Sequence, residues 1–371
     1  MGETEMNFWG ILFIAAAVLA LLGIVYLVTR FHKFSFMQKF AKKHPVMAWL
    51  ISAVPVGAVF LFGLINLYAA IVVLLHLMLI WGICDIVSFI HRKRRHSWSV
   101  RYYAGAAALL ITTAYLGAGW FFAHHVFETD YRFNTPKELG MERLRVAQFA
   151  DLHLGITLDG EEFAAELAEI QKQQPDVLVI VGDYVDDDSK KTDMIRACQA
   201  LGEFDAKYGI YYVDGNHDKG YGNYRDFSLN ELYDELEKNG VVILKDESVL
   251  IDDKFYLVGR NDRSDPERAP VSELTAELDS DKYTIILDHQ PNDYAAEAET
   301  SADLVLSGHT HGGHIFPAGL VGLAMGANDR VYGTEVRNDT TFVVTSGISG
   351  WAIPFKTGCI SEYVIVDIYD R

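Results

Sequence analysis

Polar and apolar positions divide this chain into two unlike parts. Up to residue 122 the apolar residues gather into four long runs, at about 9–28, 46–64, 69–90 and 102–122. A helix needs roughly 20 apolar residues to cross the hydrocarbon core of a bilayer, and each run is close to that length. Four such runs in so short a stretch predict a bundle of four transmembrane helices rather than buried globular ones. Residues 123–142 are mixed and polar and predict a linker.

From residue 143 the pattern changes. Short apolar runs predict strands at 145–150, 177–181, 210–213, 241–244, 249–251, 255–258, 283–287, 304–306, 341–345 and 363–368. Between the early ones, apolar residues at helical spacing (Phe163, Leu167 and Ile170, for example) predict helices at 161–174, 190–207 and 229–239. Asn239-Gly240 supplies the stop signal of the last. Strands alternating with helices predict an α/β core, and the strand-rich later half predicts a second sheet packed on the first.

The length, 371 residues, leaves room for two or three units at about 150 residues each. Charge sharpens the division. The chain has 32 Lys+Arg and 50 Asp+Glu, a formal net of −18. Ten of the basic residues and three of the acids lie in 1–122, so 123–371 carries a net of −25. A domain that acidic repels phosphate backbones, and a general nucleic-acid binder is excluded as an expectation. Cys84, Cys198 and Cys359 show no paired spacing and predict no disulfide framework.

Segments 30–43 and 91–101 hold five Lys/Arg each and no acid, which predicts that both are cytoplasmic. With four spans, both termini and the C-terminal domain then lie outside the cytoplasm, in a multi-pass cell-membrane protein. The first run follows an acidic leader (Glu3, Glu5) and lacks a small-residue cleavage site, so it is expected to persist as a span. Trp9 and Trp120 fall where interfacial anchors sit, and Asp85 is expected to snorkel toward the basic segment beside it.

Candidate chemistry collects at strand ends. The first strand of the C-terminal part runs into Asp151-Leu152-His153, the second into Gly182-Asp183, the third into Gly215-Asn216-His217-Asp218. Two later ones run into Asp288-His289 and Gly308-His309-Thr310-His311. Ligands of open α/β sheets bind outside the carboxyl ends of strands, so five such ends converge on one small volume. Carboxylate and imidazole ligands without thiolates suit Mn, Fe or Zn and argue against a closed structural zinc site.

This ordered set resembles the calcineurin-like metallophosphoesterases over roughly residues 144–367. GDYVDDD (182–188), LVGRNDRSD (257–265), LDHQP (287–291), LSGHTHGGHIFP (306–317) and TSGISGWAIPF (345–355) resemble the subgroup whose catalytic domain follows membrane spans. The resemblance implies a four-layer α/β/β/α sandwich, here over 143–371, and a site for two divalent metal ions. It assigns Asp151, His153, Asp183 and His311 to one metal, with Asp183 bridging, and Asn216, His289 and His309 to the other. His217 would face the substrate phosphate as a non-ligand histidine, and Asp218 beside it would raise its pKa and hold its tautomer. Many relatives carry Gln where this chain has His314, a candidate substrate contact or a weak third imidazole.

Arg260 and Arg263, in a loop after a strand, are further candidate phosphate contacts. Trp351 and Phe355 are candidates for the pocket wall or a lipid chain. Asp186, Asp187 and Asp188 are expected to form a solvated acidic loop, and His124 and His125 to lie too near the bilayer exit to join the site. The expected function is a membrane-anchored, two-metal phosphohydrolase that cleaves a phosphoester or pyrophosphate by attack of a metal-bridging hydroxide. Anchoring makes a lipid-linked phosphate a candidate substrate. The rival readings are a catalytically silent membrane sensor or scaffold with the same fold, and a transporter with an accessory soluble domain. The second of these is disfavoured by short loops and a single intramembrane acid.

Overall fold

The computed structural model describes residues 3–95, 102–222 and 224–370, in two compact units, 1–119 and 120–371. The first unit is helical: α1 (Glu3–His32), α2 (Ser35–Ala41), α3 (Pro45–Phe62), α4 (Leu67–Arg95) and most of α5 (Tyr103–His124). Four of these helices, all but the seven-residue α2, are long and apolar enough to cross a membrane. Two of them, α1 and α4, extend the expected runs because they continue through their basic ends, whereas α3 stops at Phe62, short of the expected 64. The helix α2 occupies the first basic segment, which carries no periodic signal strong enough to announce it. Segment 96–101 of the second basic stretch and the side chain of Trp9 lie outside the described residues.

Asp85 does not simply snorkel. Its Oδ2 lies 2.8 Å from Nε of Arg30, and its Oδ1 accepts a 2.6 Å hydrogen bond from the Tyr102 hydroxyl. That hydroxyl in turn accepts from Trp81 Nε1 at 2.8 Å. An acid within a span is costly unless paired, and this one is paired by Arg30 of α1 and by Tyr102, the residue before α5.

The second unit is built on two six-stranded mixed sheets. The first has the order β1 (Val126–Thr135), β12 (Ser361–Asp370), β2 (Leu144–Phe149), β3 (Val177–Val181), β4 (Ile210–Val213), β5 (Val241–Ile243). The second runs β10 (Gly333–Arg337), β11 (Thr340–Val344), β9 (Leu304–Ser307), β8 (Tyr283–Leu287), β7 (Phe255–Gly259), β6 (Glu247–Ile251). Helices α6 (Gly160–Lys172), α7 (Lys191–Gly202) and α8 (Leu229–Lys238) cover the outer face of the first sheet. The short α9 (Val271–Thr275) and α10 (Tyr294–Glu297) contribute to the outer face of the second. The result is the expected four-layer α/β/β/α sandwich.

Strand β3 shows how the layers arise. All five of its residues are buried. Val177, Val179 and Val181 face the second sheet, while Leu178 and Ile180 pack toward α6 and α7. Each such side chain contributes about 1.5–3 kcal/mol when fully buried, and two buried faces explain why the strand reads as a continuous apolar run.

The expected linker is a correction. Residues 126–135 form β1, paired in parallel with β12 along its whole length, from Val126 opposite Ser361 to Thr135 opposite Asp370. Its side chains alternate half-buried and exposed, with Glu128, Asp130 and Arg132 among them. Charged positions on an edge strand discourage pairing with other chains, and they also make the segment look like a linker. Strand β10 and the helix α11 (Ala318–Ala324) are likewise additions to the expected elements.

Candidate active site

The carboxyl ends of β2, β3, β4, β8 and β9 bring the expected residues together. Three groups of side chains lie close enough to hold a cation: Asp151, His153 and His311; Asp183, His289 and His309; and His153, Asp186 and His217. Asp183 joins the groups, with its Oδ2 3.0 Å from His289 Nε2 and 3.6 Å from His153 Nε2. The two Nε2 atoms of His153 and His311 face each other at 3.1 Å, and His311 Nε2 is 3.5 Å from Asp151 Oδ1. Asn216 lies between Gly215 and His217, in the turn that packs on Asp183. Its amide nitrogen donates to the Tyr221 hydroxyl at 2.8 Å, which leaves its buried Oδ1 without a hydrogen-bond partner. A buried acceptor left unpaired in this turn, with imidazole nitrogens and carboxylates crowded together nearby, fits divalent cations, which satisfy such lone pairs.

The backbone is shaped to this end. Asp151, His153, Asp183, His309 and His311 all have positive φ, between 39° and 71°. Such conformations cost on the order of 1 kcal/mol or more each and collect at functional sites. Gly215 has no room for a side chain, since a Cβ there would overlap the Asp183 carboxylate. Backbone N–H groups hold the acids in place. His309 N donates to both oxygens of Asp151 at 3.0 Å, and His217 N donates to Asp183 Oδ1 at 2.8 Å.

Electrostatics follow from this crowding. Burial pushes Asp151 up to about 6. Burial also opposes ionisation of Asp183, but the adjacent imidazoles of His289 and His217 outweigh it and hold the carboxyl well below its usual range. Burial and the neighbouring His289 push His309 down to about 4. His217 is the reverse case: burial disfavours its charge, yet Asp183 and Asp186 hold its pKa up at about 9.

Two expectations for the catalytic pair change. His217 stands at the site mouth, its ring 5.0 Å from that of Tyr221 and 5.6 Å from that of Trp351. Its Nδ1 partner, however, is Asp186 at 3.1 Å. Asp218 points elsewhere and accepts from the backbone N–H of Asp183, Val185 and Gly215 at 2.8, 3.0 and 2.8 Å. It pins two of the loops together and does not touch the His217 ring. Asp186 is not part of a solvated loop either. It is buried, with its second oxygen 3.0 Å from His153 Nδ1. A run of three acids reads as solvated; only the turn after β3 distinguishes its first member from the other two.

The candidate substrate contacts fare differently. Arg260 is buried in an ion-pair network with Asp288, Asp293 and Glu297 at 3.0, 2.9 and 3.0 Å. It is therefore a structural cation, not a phosphate ligand. Arg263 is exposed and lines a cavity of about 310 Å³ together with Arg260, Arg268 and Asn292, none of them in the metal-type groups. His314 does not face solvent or the site mouth. Its ring stacks at 5.5 Å on that of His311, and burial pushes its pKa down to about 3. Its carbonyl accepts from Thr357 N and Gly358 N at 2.9 and 3.0 Å. Trp351 stands beside the cluster, its ring 5.6 Å from that of His217 and 6.4 Å from that of His311.

Tyr221 and Lys356 were not anticipated. The Lys356 ammonium is fully buried and donates to the carbonyls of Ser346, Gly347 and Ile360 at 2.7, 3.0 and 3.3 Å, closing the loop that carries Trp351. A lone lysine after an apolar run was its only trace in sequence.

With this geometry in hand, comparison with known proteins is informative. A sequence profile of the calcineurin-like phosphoesterases matches residues 144–313. An uncharacterized metallophosphoesterase of Aquifex aeolicus is 31% identical over 244 residues, covering 64% of this chain and 90% of that protein. One from Campylobacter jejuni is 32% identical over 232 residues, 61% of this chain and 59% of its own length. A bovine transmembrane protein with metallophosphoesterase domain is 29% identical over 240 residues, covering 60% and 52% respectively. The chain thus spans little more than half the length of two of these three relatives.

Proposed function

The chain belongs to the calcineurin-like phosphoesterase family, and from that premise we propose that it is a membrane-anchored phosphohydrolase with a two-cation site, acting outside the cytoplasm. The observation that carries this reading is the convergence of Asp151, His153, His289, His309 and His311 around the single carboxylate of Asp183. Asp151, His153, Asp183 and His311 would hold one cation, and Asp183, Asn216, His289 and His309 the other. Two divalent cations there would supply Lewis acidity toward a phosphoryl group and a water acidic enough to ionise near neutral pH.

The chain's own groups do the rest. Tyr221 takes the Asn216 amide nitrogen, which leaves the amide oxygen free to serve as a neutral ligand. His217 is not needed as a ligand in this scheme, and its raised pKa suits it to donate a proton from its ring to the leaving oxygen. Asp186 accepts from Nδ1 of His217, which leaves Nε2 to carry that proton. Trp351 and Tyr221 flank the ring edge-on. The basic segments at 30–43 and 91–101 support the extracytoplasmic placement, and the anchor supports a lipid-linked phosphate as substrate.

The test uses the full chain in detergent micelles with Mn²⁺, because a fragment starting near residue 141 would lack β1. Mono-aryl and bis-aryl phosphates are compared, with Asp183→Asn as the control. Metal-dependent turnover lost in the variant supports the reading, and the faster substrate separates monoesterase from diesterase. A metal-loaded chain that turns over neither substrate nor a phosphorylated lipid would sink it in favour of the sensor.

A further inference from the structure

Strand directions within the second unit fix which end of the domain carries the site. Strand β12 is antiparallel to β2, with Val364 opposite Gln148, so the end of β2 that runs into Asp151 lies beside the start of β12. Strand β1 is parallel to β12, with Val126 opposite Ser361, so β1 starts at that same end. Only His125 separates Val126 from the last residue of α5. The Ser361 hydroxyl donates to the Ala123 carbonyl at 3.0 Å and ties the last turn of α5 to this edge. The end of the sheet from which the candidate ligands project is therefore the end at which the chain leaves its last apolar helix. Trp120 and Phe121, in that last turn, are exposed.

A second apolar feature stands at the same end. Directly after His311 and His314, residues 315–328 contain no charged side chain, in a domain whose net charge is −25. They form α11 and its flanks, and Phe316, Leu320, Leu323 and Met325 are exposed by 56%, 62%, 47% and 59%. Phe316 N donates to Thr357 Oγ1 at 3.1 Å, which joins this segment to the loop bearing Trp351. Tyr332, just beyond it, donates to Glu362 at 2.9 Å, one residue along β12 from Ser361. Contiguous exposed apolar surface of this kind marks an interaction site.

We propose that the catalytic end of this domain rests on the lipid bilayer, with Phe316–Met325 immersed in the interfacial region beside the site mouth. The proposal rests on the reading of the four helices as membrane spans, and not on catalysis. Given those spans, His125 is the whole tether between the last of them and the catalytic sheet. An apolar patch at that end then meets lipid before it meets any soluble partner. A side chain of about 60% exposure can bury its apolar area in the outer few ångströms of a bilayer without disturbing the core of the domain.

The test reads depth and needs no turnover, so an inactive enzyme would not obscure it. Leu320→Cys and Asp279→Cys are made in the full chain, labelled with a nitroxide and reconstituted into phosphatidylcholine–phosphatidylglycerol vesicles. Both positions are exposed, and Asp279 precedes β8 and so lies at the opposite end of its sheet. The signal of the labelled parent, which retains Cys84, Cys198 and Cys359, is subtracted. The expected result is that the label at 320 collides more with oxygen than with a water-soluble nickel chelate, while the label at 279 shows the reverse order. The same order at both positions, with the chelate favoured, overturns the proposal. Low access of both reagents at 320 also overturns it, because the segment would then be covered by protein, a second copy included.

Discussion

The carboxylate of Asp186 holds Nδ1 of His217 at 3.1 Å, and so takes the place in the site that the neighbouring Asp218 was expected to fill. Two aspartates from different turns, after β3 and after β4, have become an orienting group and a loop pin. Replacing Asp186 by Asn should lower kcat by about 10- to 100-fold, as expected for a group that orients a working side chain. KM should move less, and metal content measured by atomic emission should stay near that of the parent. Equal loss in Asp218→Asn with full metal retention would contradict this division of labour.

His217→Ala should cost about 10²- to 10⁴-fold in kcat for an aryl ester with a poor leaving group. The loss should shrink for a good leaving group that needs no proton. A uniform loss across leaving groups would rule out His217 as the proton donor.

Removing metal should destabilise the catalytic unit. Asp151 and Asp183 are buried within one cluster, and a bound cation offsets their mutual repulsion. A ligand present at 100 times its Kd stabilises by about 2.7 kcal/mol. Chelation should therefore lower the Tm of the second unit in a thermal scan, and added Mn²⁺ should restore it. An unchanged Tm would mean that the cluster holds no cation.

Arg260→Met should act on stability, not on KM. It leaves Glu297 buried without its cation and Asp288 with Arg268 alone, and breaking a buried pair costs about 3–5 kcal/mol. Urea unfolding followed in the second unit measures the loss. A raised KM with unchanged unfolding would return Arg260 to the substrate.

The Arg145–Asp367 pair, far from the cluster, contributes to acid stability. Burial pushes the Asp367 carboxyl up, but Arg145, which donates to both its oxygens at 2.7 and 2.8 Å, outweighs that and holds it below its usual value. The contribution is fully present above the unfolded pKa of about 3.9 and is lost as pH falls through the lower folded value. Asp367→Asn should remove this component of the acid limb, so its stability should fall less than the parent's between pH 4 and 2.

The sequence by itself determined the two-part division, the four apolar helices, the alternating strands and the residues that meet at Asp183. These are readable because their cause is local. Apolar periodicity follows from which face is buried, and a ligand placed at the end of a strand is carried to the shared edge of a sheet wherever that strand pairs. Tertiary structure decided what depends on partners distant in sequence. Strand β1 reads as a linker because only its pairing with β12, some 235 residues away, satisfies its backbone. Arg260 reads as a phosphate contact because nothing in its own loop announces Asp288, Asp293 and Glu297. Asp186 and Asp218 are the same residue type and equally close to their motifs, and only the direction each turn gives its side chain separates them. The orientation of the catalytic end toward the exit of α5 belongs to the same class, since it follows from strand order and direction, which residue pattern alone leaves free.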